Sequence, residues 1–171
     1  MEEVELDNIL YYIDEDNRSA TVYRISNHEY EGKLEIPQCI WDDGHMYEVR
    51  EIADFAFDGC EGLESIDIPD AVTEIGDWAF CGCTSLQTVD IPNSVSEIGK
   101  SAFLGCKSLQ SIDIPDSVTR IGMEAFKGCT SLQSVDIPNS VSEIGKSAFE
   151  GCTSCNPSAK YRLALFLLLS A

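Results

Sequence analysis

The sequence predicts a solenoid of stacked, β-rich coils of 23 residues each, covered at its N-terminal end by a β-hairpin cap. Three observations carry this reading. The stretch D-I-P-N-S-V-S-E-I-G-K-S-A-F runs from Asp90 to Phe103 and again, unchanged, from Asp136 to Phe149, an offset of 46 residues. Half that offset, 23, aligns Ile68, Ile91, Ile114 and Ile137, each followed by a proline. The same step aligns Phe57, Phe80, Phe103, Phe126 and Phe149, and also Cys60, Cys83, Cys106, Cys129 and Cys152. Self-similarity at a fixed period of this length marks a repeat array, in which each coil buries its apolar edge only against its neighbours.

Residues 1–31 lie outside the repeat. Ile9 to Ile13 and Ala20 to Ile25 are rich in β-formers, and Asp14 to Ser19 between them is polar and turn-forming, so the pair reads as a hairpin over the first coil. A solenoid needs such a unit, because an open end exposes apolar columns and unpaired strand edges. Asp14 to Asn17 has the composition of a calcium loop but not its spacing: Arg18 takes the third ligand position and no glycine follows. A turn is the reading. Asn17-Arg18-Ser19 is a glycosylation sequon, relevant only to a secreted chain.

Residues 32–157 form the solenoid. Its first repeat opens at Gly32 to Pro37 and carries a nine-residue insertion: 12 residues lead from Pro37 to Val49, where 3 lead from Pro69 to Val72. Asp42-Asp43-Gly44 at the centre of the insertion signals a hairpin. Trp41 and Tyr47 on it are either exposed or packed on the cap. Four regular repeats follow. The first and third share I-D-I-P-D, and the second and fourth share the identical stretch, as doubling of a two-repeat block would produce.

Within a repeat the consensus is I-P-x-S-V-x-x-I-G-x-x-A-F-x-G-C-x-S-L-x-x-[IV]-D. Val89 and Ile91 alternate with the polar Asp90, as in a half-buried strand. Pro92 ends that strand, having no N–H to donate, and Asn93-Ser94 suits a turn. Val95 and Ile98 give a second short apolar segment. Gly99 is expected to hold a backbone conformation that a side chain would penalise. Ala102-Phe103 through Gly105-Cys106 reads as a compact helical or turn-like corner.

The motifs I-P-[DN]-[SA]-V, E-I-G or R-I-G, A-F-x-G-C and [ST]-S-L resemble those of the BspA-like leucine-rich-repeat family. The resemblance runs from Leu34 to Cys155, about seventy per cent of the chain. It implies a right-handed solenoid with a parallel sheet along one face and short helical turns. It also implies adhesion and protein binding, often at the surface of bacteria or parasitic protists. It brings no catalytic residues.

Residues 158–171 follow the break at Pro157 and contain the apolar run Leu163 to Leu169. A helix over Ser158 to Ser170 would be about 20 Å long. That is short of a hydrocarbon core of ~30 Å, so the tail is not expected to span a bilayer alone. It reads as a capping helix over the last coil, as a self-association element through residues 163–169, or as a truncated anchor.

With 30 acidic and 11 basic residues the net charge is −19. That argues against nucleic acid and anionic membrane as partners, since both need positive charge. It leaves solubility or a cationic partner as its meaning. Met1-Glu-Glu-Val-Glu has neither a basic n-region nor an apolar h-region, so no secretory signal is read there. Location stays open between the cytoplasm and the surface or secreted setting that the resemblance implies.

Eight cysteines suggest a disulfide framework, but the period argues otherwise. Five form the column above, and Cys155 falls at the leucine position marked by Leu63, Leu86, Leu109 and Leu132. Strands about 4.8 Å apart would permit bridging by Cα separation alone. Side chains in register point the same way, however, which suits the Cβ–S–S–Cβ torsion poorly. The expectation is a reduced ladder of small buried groups. Cys81 has no column and is expected to be the most exposed thiol. Cys152 and Cys155 make a single C-x-x-C, a weak zinc or redox signal without a second ligand pair.

Two columns of charge remain. Glu35, Asp67, Asp90, Asp113 and Asp136 recur on the strand beside inward apolar residues, so their carboxylates are expected to face solvent as one acidic column. Like charges about 4.8 Å apart repel by roughly 0.9 kcal/mol per pair even at the dielectric of water. The column is read as a binding face for a protein with a basic patch or for divalent cations, against the alternative of a merely solvated face. Glu51, Glu74, Glu97, Arg120 and Glu143 form the second column, in which Arg120 can pair with Glu97 and Glu143.

Catalysis finds little support. His28 and His45 are the only histidines, both outside the regular repeats, and there is no Ser-His-Asp order, phosphate loop, HExxH or cofactor motif. The sequence therefore reads as a non-enzymatic binding scaffold, or as a structural spacer without a specific ligand.

Overall fold

The computed structural model describes residues 2–25 and 31–152. The tail of residues 158–171, with its expected capping and self-association roles, lies outside them, as does Cys155.

The N-terminal unit has three antiparallel strands, β1 (Glu2–Leu6), β2 (Ile9–Asp14) and β3 (Ser19–Ile25). The expected β2–β3 hairpin is present. Asp14 closes its turn, accepting the N–H groups of Asp16 and Asn17 at 2.9 and 3.1 Å and the Asn17 side-chain amide at 2.7 Å. β1 is an addition to the sequence reading. It joins β2 through Asp7 and Asn8, both at positive φ (52° and 65°), a conformation that Asn and Asp tolerate in two-residue hairpins. Glu2, Glu3 and Glu5 line this edge strand and blunt it against pairing with another chain.

β4 (Gly32–Glu35) begins the repeats. The insertion forms β5 (Cys39–Asp42) and the long β6 (His45–Ile52), an antiparallel hairpin turning at Asp43-Gly44, both at positive φ. Of the two aromatics on it, Tyr47 is buried, with the Arg18 guanidinium over its ring at 5.6 Å, while Trp41 is 67% exposed.

Each later coil contributes one strand to each of two sheets. β7 (Leu63–Asp67), β9 (Thr88–Asp90), β11 (Ser111–Asp113) and β13 (Ser134–Asp136) extend β4 into a five-stranded parallel sheet. β8 (Glu74–Ile75), β10 (Glu97–Ile98), β12 (Arg120–Ile121) and β14 (Glu143–Ile144) extend β6. Because β3 also pairs with β6, in parallel, the N-terminal unit and the repeats share one sheet. β3 thus lies along the β6 strand of the first coil.

The third side of each coil is neither strand nor helix. Among the described residues it holds turns and no short helical turn, so of the helical or turn-like corner expected from the residues the turn-like form is present. The reason lies in the hydrogen bonds. The N–H groups of Trp78, Phe80 and Gly82 donate to the carbonyls of Lys100, Ala102 and Leu104 in the next coil, each at 2.8 Å. The residues between them bond back three positions, as Cys81 does to Trp78 at 3.1 Å. N–H groups committed to the next coil cannot close a helix, so the corner becomes a third inter-coil ladder.

Glycine at the E-I-G position has a different cause from the one expected. A Cβ on Gly99 would lie 2.6 Å from the carbonyl carbon and oxygen of Gly76. Close approach of two backbones, not left-handed φ, excludes a side chain. Ala53 occupies this position in the first coil, where the neighbour is β3 and its N–H reaches the Val22 carbonyl at 2.8 Å. The A-F-x-G-C glycine is the one that needs positive φ, 75° at Gly105.

The core is a set of columns. Phe57, Phe80, Phe103, Phe126 and Phe149 are buried and stack at centroid spacings of 5.1 to 5.3 Å. The column cysteines are buried, and Cys60, Cys83, Cys106 and Cys129 are free thiols. The thiols of Cys83, Cys106, Cys129 and Cys152 donate to phenylalanine carbonyls 26 residues earlier, at 3.1 to 3.2 Å. A thiol with a buried acceptor is a satisfied donor, which suits the reduced ladder. Burial pushes the Cys106 thiol up to about 12, so it is inert as a nucleophile.

Candidate functional site

The solenoid turns every residue position into a column, so the site question becomes which columns face solvent. On the five-stranded sheet, inward Leu34, Ile66, Val89, Ile112 and Val135 are buried. The period of two along a strand then points their neighbours outward. The register pairs Glu35 with Asp67, Asp67 with Asp90, Asp90 with Asp113 and Asp113 with Asp136. All five carboxylates are exposed. A row of Ser65, Thr88, Ser111 and Ser134 runs beside them.

One internal cation reaches this column. The Lys33 ammonium lies 2.6 Å from Asp67, and that hydrogen bond, followed by the Asp67 and Glu35 charges, holds its pKa above the ordinary lysine value. Among the described residues no cation pairs with Asp90, Asp113 or Asp136. No group of three or more His, Cys, Asp and Glu among the described residues has the geometry to hold a metal ion.

The second column is also in register, from Glu51 through Glu74, Glu97 and Arg120 to Glu143. Arg120 makes its ion pair with Glu97, and Glu143 acts on it only through charge. The Glu74 carboxyl sits above the usual carboxylate range, by partial burial first and then by the Glu51, Glu97 and Asp54 charges. Cys81 is half-buried, as is Cys39. Burial and a hydrogen bond to Asp58 raise the Cys81 thiol to about 11, so it is not an activated nucleophile.

One surface feature escaped the sequence reading. Phe55 and Trp78, one period apart, stack outside the core at 5.0 Å with planes 2° apart. The period alone aligned them. What it did not show is that their position points outward, because the alternation of a strand does not apply in the corner.

The family model described as the BspA type leucine rich repeat region matches residues 24–157 in six copies. A leucine-rich repeat protein from Bacteroides ovatus is 35% identical with a TM-score of 0.84, over 90% of this chain and 40% of that one. The T. pallidum leucine rich repeat protein is 31% identical with a TM-score of 0.78, over 91% of this chain and 81% of that one. A leucine rich cell surface protein from Faecalibacterium prausnitzii is 25% identical with a TM-score of 0.62, over 91% of this chain and 54% of that one. The chain thus spans two fifths of the length of the Bacteroides ovatus protein. No curated protein matches it. Among the described residues no helix is long and apolar enough to cross a membrane. The chain belongs to the BspA-type leucine-rich-repeat family, whose repeats build protein-interaction scaffolds.

Proposed function

We propose that the chain is a non-enzymatic protein-binding scaffold of the adhesion type. Its contact surface is the carboxylate ladder Glu35, Asp67, Asp90, Asp113 and Asp136, and its partner is a protein with a basic patch. The observation that carries this is the Lys33–Asp67 pair at 2.6 Å beside three consecutive rungs with no cation among the described residues. One rung accepts a lysine from within the chain, and the others are open to lysines from outside. Association of this kind is steered by charge and weakened by salt.

Binding of a lysine octapeptide, followed by fluorescence anisotropy at low and physiological salt, tests the proposal. Asp90→Asn with Asp113→Asn should lower the affinity and flatten its salt dependence, with unchanged far-UV circular dichroism. Equal binding by the double variant would make the ladder a solvated surface. The second reading, a spacer or display segment, is favoured by the sameness of the flanking Ser65, Thr88, Ser111 and Ser134 row, which offers little to shape a specific pocket.

A further inference from the structure

We infer that the Phe55–Trp78 stack, on the corner of the first two coils, is a second binding site, one that takes the guanidinium of an arginine side chain from a partner protein. The first support is conformational. The corner holds this position at positive φ in every coil: 60° at Phe55, 54° at Trp78, and 54–58° at Ser101, Glu124 and Ser147. Bulky residues are rare there and strained. The later coils use Ser or Glu at the position, so the fold does not demand an aromatic ring. Nor do these rings fill the core, since Phe55 is 51% exposed.

The second support is a cation already in place. The Lys100 ammonium lies over the Trp78 ring, 4.4 Å from its centroid. The C-terminal end of the stack therefore holds a positive group supplied by the next coil. At the N-terminal end, Phe55 has no such partner among the described residues.

The third support is charge, read column by column. Through the first two coils the columns around the stack carry Glu51, Asp54, Asp58, Glu74 and Asp77, with no basic residue. From the third coil onward the same columns supply Lys100, Arg120, Lys127 and Lys146. Arg120 then pairs with Glu97, and Lys127 with Glu124 and Glu150. Arg50, close in sequence, is paired with Glu48 instead. Lys100 reaches Trp78 in the second coil, so the Phe55 end is the one without a cation among the described residues; there Asp54 accepts the Asp77 N–H at 2.6 Å and Glu51 the Thr21 hydroxyl at 3.3 Å, bonds that carry no positive charge.

Backbone dipoles point the same way. The corner ladder runs in one sense, N–H of one coil to C=O of the next. Its starting end consists of the carbonyls of Asp54, Ala56 and Asp58, and no described residue donates to them. Aligned peptide groups leave partial negative charge at a carbonyl end, as in a helix. A flat ring, unneutralised carboxylates and a carbonyl end together fit a guanidinium, which stacks on an aromatic face while its N–H fork reaches acceptors.

The site is separate from the sheet ladder, so the two proposals fail separately. The test uses the full chain and the Trp78 indole N–H resonance, assigned with Trp41→Phe. A tetra-arginine peptide should shift that resonance saturably, and the uncharged tetra-citrulline peptide should not. Phe55→Ser adopts the residue found at Ser101 and Ser147, and should weaken tetra-arginine binding about tenfold. Phe55→Leu, which keeps apolar volume and removes the ring, should do the same and guards against a folding defect. Asp90→Asn with Asp113→Asn should leave the Trp78 shift intact. Undiminished affinity in both Phe55 variants, an equal response to tetra-citrulline, or a Trp78 shift produced by cellohexaose in place of tetra-arginine would overturn the proposal, the last by making the stack a carbohydrate platform.

Discussion

Replacing Gly99 with alanine tests the packing of the coils directly. The new Cβ would lie 2.6 Å from the carbonyl carbon of Gly76, where ordinary contact begins near 3.4 Å. The obstacle is backbone, so the coils must part locally by 3.4 − 2.6 = 0.8 Å. The bond from Gly99 N–H to Ile75 O would stretch from 2.9 to 3.7 Å, and that from Trp78 N–H to Lys100 O from 2.8 to 3.6 Å. Both then exceed hydrogen-bonding range. Two bonds at about 1 kcal/mol each, with residual strain of about 1 kcal/mol, give a loss on the order of 3 kcal/mol. In a chain of this size that lowers Tm by roughly 6–12 °C. Gly105→Ala is the control in the same coil. Its Cβ would meet nothing within 4 Å, so only left-handed φ opposes it, at about 1–2 kcal/mol. Urea titration followed by far-UV circular dichroism measures both, with the m-value checking that the same unit unfolds. If Gly99→Ala proves no less stable than Gly105→Ala, close approach is not why glycine stands there.

Tyr11 is fully buried and its hydroxyl has no hydrogen-bond partner among the described residues, so Tyr11→Phe should stabilise the protein by about 1 kcal/mol in urea titration. Cys106→Ala removes a buried thiol and its bond to the Phe80 carbonyl, and should cost about 1–2 kcal/mol by the same measurement. Titration with a thiol reagent under native conditions should modify Cys39 and Cys81 and leave the column cysteines protected until the protein unfolds. The Glu74 carboxyl is raised in the folded state, so the folded form holds its proton more tightly and this group's contribution to stability falls as pH rises through that raised pKa. Glu74→Gln should accordingly raise Tm by a degree or two at pH 7 and leave it unchanged at pH 4, as read by thermal melts.

The periodicity made the coils, their columns and the Phe and Cys ladders legible, because one residue per 23 is all that a stack requires to repeat its core. Register followed at once: if Asp90 and Asp113 are one period apart in identical coils, they must be neighbours. The corner was legible only as helical or turn-like. A turn of I-G-x-x-A-F-x-G-C composition can close on itself or reach to the next coil, and only the hydrogen bonds distinguish these. For the same reason the role of Gly99 was misassigned, since a glycine that avoids a neighbouring backbone looks in sequence like one that needs positive φ. β1 was missed because E-E-V-E-L does not read as a buried strand. It is an edge strand, and acidic residues protect such an edge.

Stacking identical coils makes each side chain's neighbour its own kind, and chemistry decides whether that helps. Phenylalanine on phenylalanine gains contact, and a thiol ladder bonds to backbone without needing a partner of opposite charge. Carboxylate on carboxylate loses, and among the described residues cations answer it: Arg120 interrupts a glutamate column, Lys127 bridges Glu124 and Glu150, and Lys33 reaches Asp67. The sheet column has no such interruption: the duplicated stretch carries Asp90 over as Asp136, and the coil between them supplies Asp113 where the glutamate column has Arg120. The uncompensated carboxylates thus fall in two places, along the middle and end of the five-stranded sheet and around the Phe55–Trp78 stack. Around the stack Asp54 and Asp77 each accept a backbone N–H of the next coil at 2.6 Å, which fixes their place but leaves their charge unmatched. A partner's cation would relieve both, which is why lysine and arginine peptides, read against separate variants, are the probes that distinguish them.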